Sequence, residues 1–236
     1  MVKFQNGNAL FLILIAVALF AALSYAITQS GRGGGNVSKE TAQLQAAQLT
    51  QYMAEYQRAI QMLMTVNGCT ETQLSFDHVS WGHTDYDNPD SPSDERCHFF
   101  ADAGAGLDPT AFPSDITSEI VFTGRTSIDG LGRNPGSSGN SYSSELLMVL
   151  RGLSYDHCLS LNQGASLSDP VPQTDPIYTN MFGSNSGYFN GDFNHQNRIG
   201  SSYGGAANVD GQVMGCVQAS YSGNLEYVGF LALIAR

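Results

Sequence analysis

Residues 42–63, AQLQAAQLTQYMAEYQRAIQML, carry the clearest structural pattern in this chain of 236 residues. Apolar side chains recur along the segment at alternating spacings of four and three, and the opposite face is mostly Gln and Thr. This is the period of a helix with one apolar stripe. The stripe consists of Ala42, Ala46, Leu49, Met53, Tyr56, Ile60 and Leu63. We predict an amphipathic helix over residues 37–67 that packs on the chain's own globular domain and is ended by Asn67 and Gly68.

A glycine-rich segment, SGRGGGN at residues 30–36, precedes this helix. Each glycine in a helix costs about 1 kcal/mol relative to alanine, so four glycines in seven residues predict a hinge. Asn36 or Ser38 can cap the next helix, with Glu40 in its first turn, where the helix dipole favours a negative charge.

Before the hinge, residues 9–27 read ALFLILIAVALFAALSYAI and contain no charge. As a helix, nineteen such residues would be roughly 28 Å long, close to the thickness of a bilayer core. We therefore predict a transmembrane helix over residues 8–29. A plain anchor and a cleaved secretory signal are the alternatives. In the second case cleavage follows Ala26, and the mature protein begins at Ile27.

The first seven residues, MVKFQNG, form a short basic leader that ends in Gly7 just before the apolar run. Here the chain resembles type IV pilins and the pseudopilins of secretion systems. The resemblance implies that a prepilin peptidase cuts between Gly7 and Asn8. It also implies that the helix first anchors the subunit in the inner membrane lipid and later packs against like or related pilin subunits.

One position departs from that family. The fifth residue after the cleavage point, usually glutamate, is Leu12. Because that glutamate helps to align neighbouring subunits in the family, its replacement favours a minor or divergent subunit.

Four cysteines, Cys69, Cys97, Cys158 and Cys216, all follow the apolar run, and no CxxC pair occurs. Their even number and wide spacing favour two disulfides in an oxidising compartment over a metal site. Three pairings are open. The nearest-neighbour pairing would close loops worth roughly 3.5 and 4 kcal/mol. The alternative is four reduced, buried thiols, which would place the domain in the cytoplasm.

Residues 68–236 are predicted to form a disulfide-stapled, loop-rich head outside the cytoplasm. The overall fold class is thus α+β: a transmembrane helix, an amphipathic helix and a mostly antiparallel β head. A short helix is expected over residues 154–161, and residues 145–150 fit either a strand or a helix. The predicted strands are residues 73–76, 120–122, 215–221 and 226–235.

Charge excludes one class of partner. The chain has 21 acidic and 10 basic side chains, and only seven of the basic ones follow residue 39, none of them lysine. Residues 40–236 therefore carry a net charge of −14. Because nucleic-acid binding needs clustered Lys and Arg, no nucleic-acid partner is expected.

An acidic stretch, residues 81–98, contains the weak calcium candidates Asp85, Asp87 and Asp90. The stretch does not match the EF-hand calcium-binding loop, because Pro89 and Arg96 occupy two of the positions that supply calcium ligands in that loop. We therefore predict a solvated acidic turn and no metal.

No catalytic motif is present in the sequence. The histidines lack helix-spaced pairs, and neither a nucleophile elbow nor a phosphate-binding glycine loop occurs. We expect no enzyme activity and no cofactor. The aromatic loop residues Tyr188, Phe189, Phe193 and Tyr203 suit adaptable recognition, with a linker-like loop as the alternative.

These patterns together predict a pilin-like or pseudopilin-like structural subunit of a bacterial surface filament or secretion apparatus. It would be held in the inner membrane by a single pass, with its head in the periplasm or at the cell surface. The alternatives are a membrane-tethered domain that binds a ligand or glycan without polymerising, and a secreted hydrolase.

Overall fold

The structure is a computed structural model that describes residues 9–30, 34–78, 86–109, 116–132, 144–175, 187–194, 197–201, 204–221 and 224–236. The chain divides into two compact units, Met1–Thr41 and Ala42–Arg236. In chain order the elements are α1 (Ala9–Ser30), α2 (Gly34–Thr65), β1 (Glu119–Ile128), β2 (Glu145–Leu153), α3 (Tyr155–Gly164), β3 (Thr174–Asp175), β4 (Asn197–Ile199), β5 (Met214–Tyr221) and β6 (Asn224–Ile234). Two short 3₁₀ helices, Glu71–Gln73 and Ala207–Val209, lie in the connections.

The transmembrane helix predicted over residues 8–29 is corrected by the structure. Within the described part of the chain, no helix combines the length and apolarity that crossing a membrane requires. Helix α1 itself forms over Ala9–Ser30.

Helix α2 confirms the predicted apolar stripe. All seven stripe residues, from Ala42 to Leu63, are buried. The helix begins at Gly34 rather than at residue 37, so the last three residues of the predicted hinge are helical, and residues 31–33 lie outside the described ranges. At its end, Gly68 adopts a positive φ of 69°, and the Cys69 N–H donates back to the Leu63 carbonyl.

The head contains a six-stranded sheet in the order β3-β5-β6-β2-β1-β4. The four central strands pair antiparallel, whereas β3 pairs with β5 and β4 pairs with β1 in parallel. The sheet is therefore mixed, which corrects the prediction of a mostly antiparallel head. The ambiguous segment at residues 145–150 is a strand, and the predicted strand at residues 73–76 is reduced to one bridge between Ser75 and His98.

Each face of the sheet carries its own hydrophobic core. On one face, α2 packs against alternate residues of the central strands, such as Phe122, Met148 and Leu231, and the Tyr56 ring lies 5.5 Å from that of Phe122. On the other face, the intervening residues of the strands meet apolar side chains of the connecting segments, including Val209. Because β2 is buried on both faces, its sequence contains a continuous apolar run instead of an alternation of apolar and polar residues.

Both disulfides are formed, and the structure selects the nearest-neighbour pairing. Cys69 bonds to Cys97 across 28 residues, and Cys158 bonds to Cys216 across 58 residues. The first ties the end of α2 to the loop after it. The second ties α3 to β5.

Candidate assembly surface and the polar sites of the head

Helix α1 presents apolar side chains to solvent. The side chains of Ile13, Leu14, Val17, Leu19 and Phe20 are 63% to 73% exposed, and the helix sequence contains no charged residue. Contiguous exposed apolar surface of this kind marks an interaction site, because burying each large side chain would lower the free energy by roughly 1.5–3 kcal/mol relative to leaving it in water. Helix α1 is therefore the strongest candidate for an assembly surface.

A groove of about 360 Å³ lies between α2 and α3. Its lining includes Gln43, Ala46, Ala47 and Thr50 from α2, with Ser160 and Gly164 from α3, and none of its residues is charged. Close to the groove, the two helices are fastened by a side-chain hydrogen bond between His157 Nε2 and Gln45 Oε1 at 2.8 Å. The groove thus has an uncharged surface, and a hydrogen bond links the two helices that line it.

Glu145 is a buried carboxyl group whose pKa is raised. Its side chain is buried at the start of β2, where Oε2 accepts a hydrogen bond of 2.9 Å from the Ile128 N–H. Burial raises the pKa of Glu145 from 4.5 to about 7, although the Ile128 N–H and the charges of Arg198 and Arg236 act in the opposite direction. Arg198 itself forms an ion pair with Asp129. The group can therefore carry a proton near neutral pH.

Arg151 crosslinks the strands on either side of β2. Its guanidinium forms an ion pair with Glu119 on β1 and binds Glu226 on β6 through two nitrogens, at 3.0 and 3.4 Å. The Tyr188 hydroxyl donates to Glu119 Oε1 at 3.2 Å. This triad is largely shielded from solvent, so we assign it a structural role in holding β1, β2 and β6 together.

Two of the predicted recognition aromatics are engaged within the head, and a third is buried in it. Tyr188 packs edge-on against Tyr86 at 4.8 Å, and Phe189 is fully buried. Phe193 contacts Phe189 and lies under the Arg236 guanidinium, 4.0 Å from the ring centroid. Phe189 therefore serves the core, whereas Tyr188 and Phe193 pack against the core and are only partly buried, so their role in recognition stays a prediction. Tyr203 lies outside the described residues.

Within the described part of the acidic stretch, residues 86–98, Asn88 organises a turn. Its Nδ2 donates to the carbonyls of Thr72 and Leu74, both at 2.8 Å, and its Oδ1 accepts from the Asp90 N–H. Asp87 and Asp90 are exposed, and Asp85 lies outside the described residues. In the ranges that the structure describes, no three His, Cys, Asp or Glu side chains are grouped so as to hold a metal ion.

The predicted processing residues Gly7 and Asn8 also lie outside the described residues. Sequence reasoning missed Gln45, Glu145, Arg151 and the buried Asn162. No motif marks these residues, since their partners are distant in the chain. A charged residue at each end of an apolar run, as Glu145 and Arg151 flank residues 146–150, was the one available signal.

Comparisons with known proteins give no relative. No family model matches the chain. Neither a curated protein nor a solved structure is similar enough to match it.

Proposed function

We propose that this chain is a pilin-like or pseudopilin-like structural subunit of a bacterial surface filament or secretion apparatus. In this proposal α1 is the assembly helix, and the disulfide-bonded head is displayed for contact with other molecules. The observation that carries the proposal is the uncharged apolar surface of α1, which the single chain leaves exposed.

The energetic argument concerns five exposed large side chains among those of α1 that the structure describes, Ile13, Leu14, Val17, Leu19 and Phe20. Burying each of them stabilises an assembly by roughly 1.5–3 kcal/mol, which together is enough to offset part of the entropy lost when subunits associate. The apolar stripe of α2 requires no partner subunit to remove it from water, because it is already buried against the head. The two helices are thus suited to different tasks, α1 to association between subunits and α2 to holding the head.

Two further features support a place outside the cytoplasm. Both disulfides are closed, and disulfides persist in oxidising compartments. The leader residues before Asn8 match the pilin pattern. We accordingly include cleavage after Gly7 by a prepilin peptidase in the proposal, which makes Asn8 the first residue of the mature chain.

The mass of the intact chain tests the processing step. Protein purified from its native cell should begin at Asn8, and its mass under non-reducing conditions should be 4 Da below that of the fully reduced chain, as two disulfides require. A chain that begins at Met1 or Ile27 would contradict the proposal and favour a tethered or secreted domain.

Electron microscopy tests assembly. The native protein should form filaments or short ordered oligomers. Phe20→Asp, which puts a charge on the apolar surface of α1, should abolish them. The matched control is Leu225→Asp, at a residue of β6 that is 61% exposed, and this variant should assemble normally. Equal assembly of both variants would remove α1 from the mechanism, and a monomeric native protein would overturn the proposed function.

A further inference from the structure

The groove between α2 and α3 differs from the rest of the head in charge. Residues 40–236 carry 21 acidic against seven basic side chains, whereas the groove is lined only by uncharged residues. A charged partner entering it would lose water without gaining an opposite charge. The groove therefore suits an uncharged apolar partner.

The groove also has room for large side chains. Its volume of about 360 Å³ is within the range of roughly 300–1,000 Å³ that is typical of ligand pockets. A Cβ atom added at Gly164 would meet nothing within 4 Å, so the space above this residue is open.

We infer that this groove receives helix α1 of a second copy of the chain, with Phe20 among the side chains that enter it. Helix α1 has the properties that the groove requires, since it is uncharged, apolar and exposed. Contact between two heads would bring together surfaces that each carry a net charge of −14, whereas a neutral helix meets no such repulsion.

The arrangement has a consequence for assembly. Each copy offers one helix and one groove, so the contact is heterologous and the second copy's own helix stays available for a third. Such a head-to-tail contact extends into a filament unless its rotation closes a ring. The inference rests on the proposed function and names the surface on which α1 docks.

Photo-crosslinking in the full chain tests this contact. Residue 20 is replaced by a photoreactive phenylalanine analogue, and equal amounts of ¹⁴N- and ¹⁵N-labelled protein are mixed and irradiated. We expect crosslinked peptides of mixed isotope that join residue 20 to residues 43–50 or 160–164.

Variants that fill the groove provide the second measurement. Gly164→Trp and Ala47→Trp place a ring in the groove from positions where the structure has open space or an exposed side chain. Each should lower the yield of the mixed-isotope crosslink at least about tenfold, equivalent to 1.4 kcal/mol of binding. Val66→Trp is the control. Val66 is 76% exposed and lies about 24 Å along the helix direction from Thr50, so the yield should not change.

The outcomes separate the inference from the proposed function. Mixed-isotope crosslinks confined to α1 of both copies would leave assembly through α1 standing but would overturn docking in the groove. Crosslinks within single copies, or an unchanged yield in both groove variants, would also overturn it. A monomeric protein without any crosslink between copies would overturn the inference and the proposed function together.

Discussion

Asn162 of α3 makes both backbone hydrogen bonds of Cys216 at the edge of β5. The Cys216 N–H donates to Asn162 Oδ1 at 2.7 Å, and Asn162 Nδ2 donates to the Cys216 carbonyl at 2.9 Å. The side-chain amide thus occupies the place of a neighbouring strand. Cys158, one helical turn before Asn162, forms the disulfide with the same Cys216. Together the two contacts attach α3 to a sheet edge that would otherwise expose unpaired groups.

Asn162→Ala should lower the free energy of unfolding by about 2–4 kcal/mol, because it leaves the buried N–H and carbonyl of Cys216 without partners. Urea denaturation with the disulfides intact measures the change. Asn224→Ala, at an exposed residue at the start of β6, is the control and should stay within about 0.5 kcal/mol of the native protein. Equal effects in the two variants would contradict the strand-like role of Asn162.

Glu145 should make the stability of the head depend on pH. Because its pKa is raised from 4.5 to about 7 on folding, the folded state keeps a proton that the unfolded chain loses as the pH rises through this window. The contribution of Glu145 to the free energy of unfolding should therefore be greatest below pH 4.5. It should then fall by up to about 3 kcal/mol as the pH approaches 7 and passes it.

Glu145→Gln removes this titration while keeping the shape of the side chain. Urea midpoints measured between pH 4.5 and 8 should therefore decline more steeply for the native protein than for the variant. Parallel pH profiles would show that Glu145 ionises in the folded state as it does in the unfolded chain.

Arg151→Met should destabilise the head by about 2 kcal/mol, since it leaves the shielded carboxylates of Glu119 and Glu226 without their cation. Arg96→Met is the matched control. Its ion pair with Asp94 is about half exposed, and such pairs contribute at most about 1 kcal/mol. Chemical denaturation of both variants at one pH compares them. A larger loss for Arg96→Met would refute the assignment of Arg151 as the crosslink of the sheet.

Removing the Cys158–Cys216 disulfide by a double Cys→Ala substitution should cost about 4 kcal/mol. Removing the Cys69–Cys97 disulfide should cost about 3.5 kcal/mol. The order follows from the sequence separations of 58 and 28 residues, because a longer closed loop restricts the unfolded chain more. Urea denaturation under non-reducing conditions measures both costs, and a reversed order would show that lost packing outweighs loop entropy.

Local pattern was sufficient for part of the fold. The apolar stripe of α2 was predicted residue by residue, because helical periodicity is written in neighbouring positions. Strands β1, β5 and β6 were found by the same kind of local pattern, though with shorter bounds for β1. The parallel edge strands β3 and β4 were missed, since segments of two and three residues carry no periodicity.

The sequence by itself determined the amphipathic helix, strands β1, β5 and β6, the acidic surface and the presence of four cysteines that can pair. Only the tertiary structure decided which cysteines bond and that Phe189 is buried in the core. It also brought Asn162 to Cys216 across 54 residues and Arg151 to Glu226 across 75. The reason is physical: periodicity acts between residues one or two turns apart, whereas burial and hydrogen-bond pairing depend on which distant segments the folded chain brings into contact.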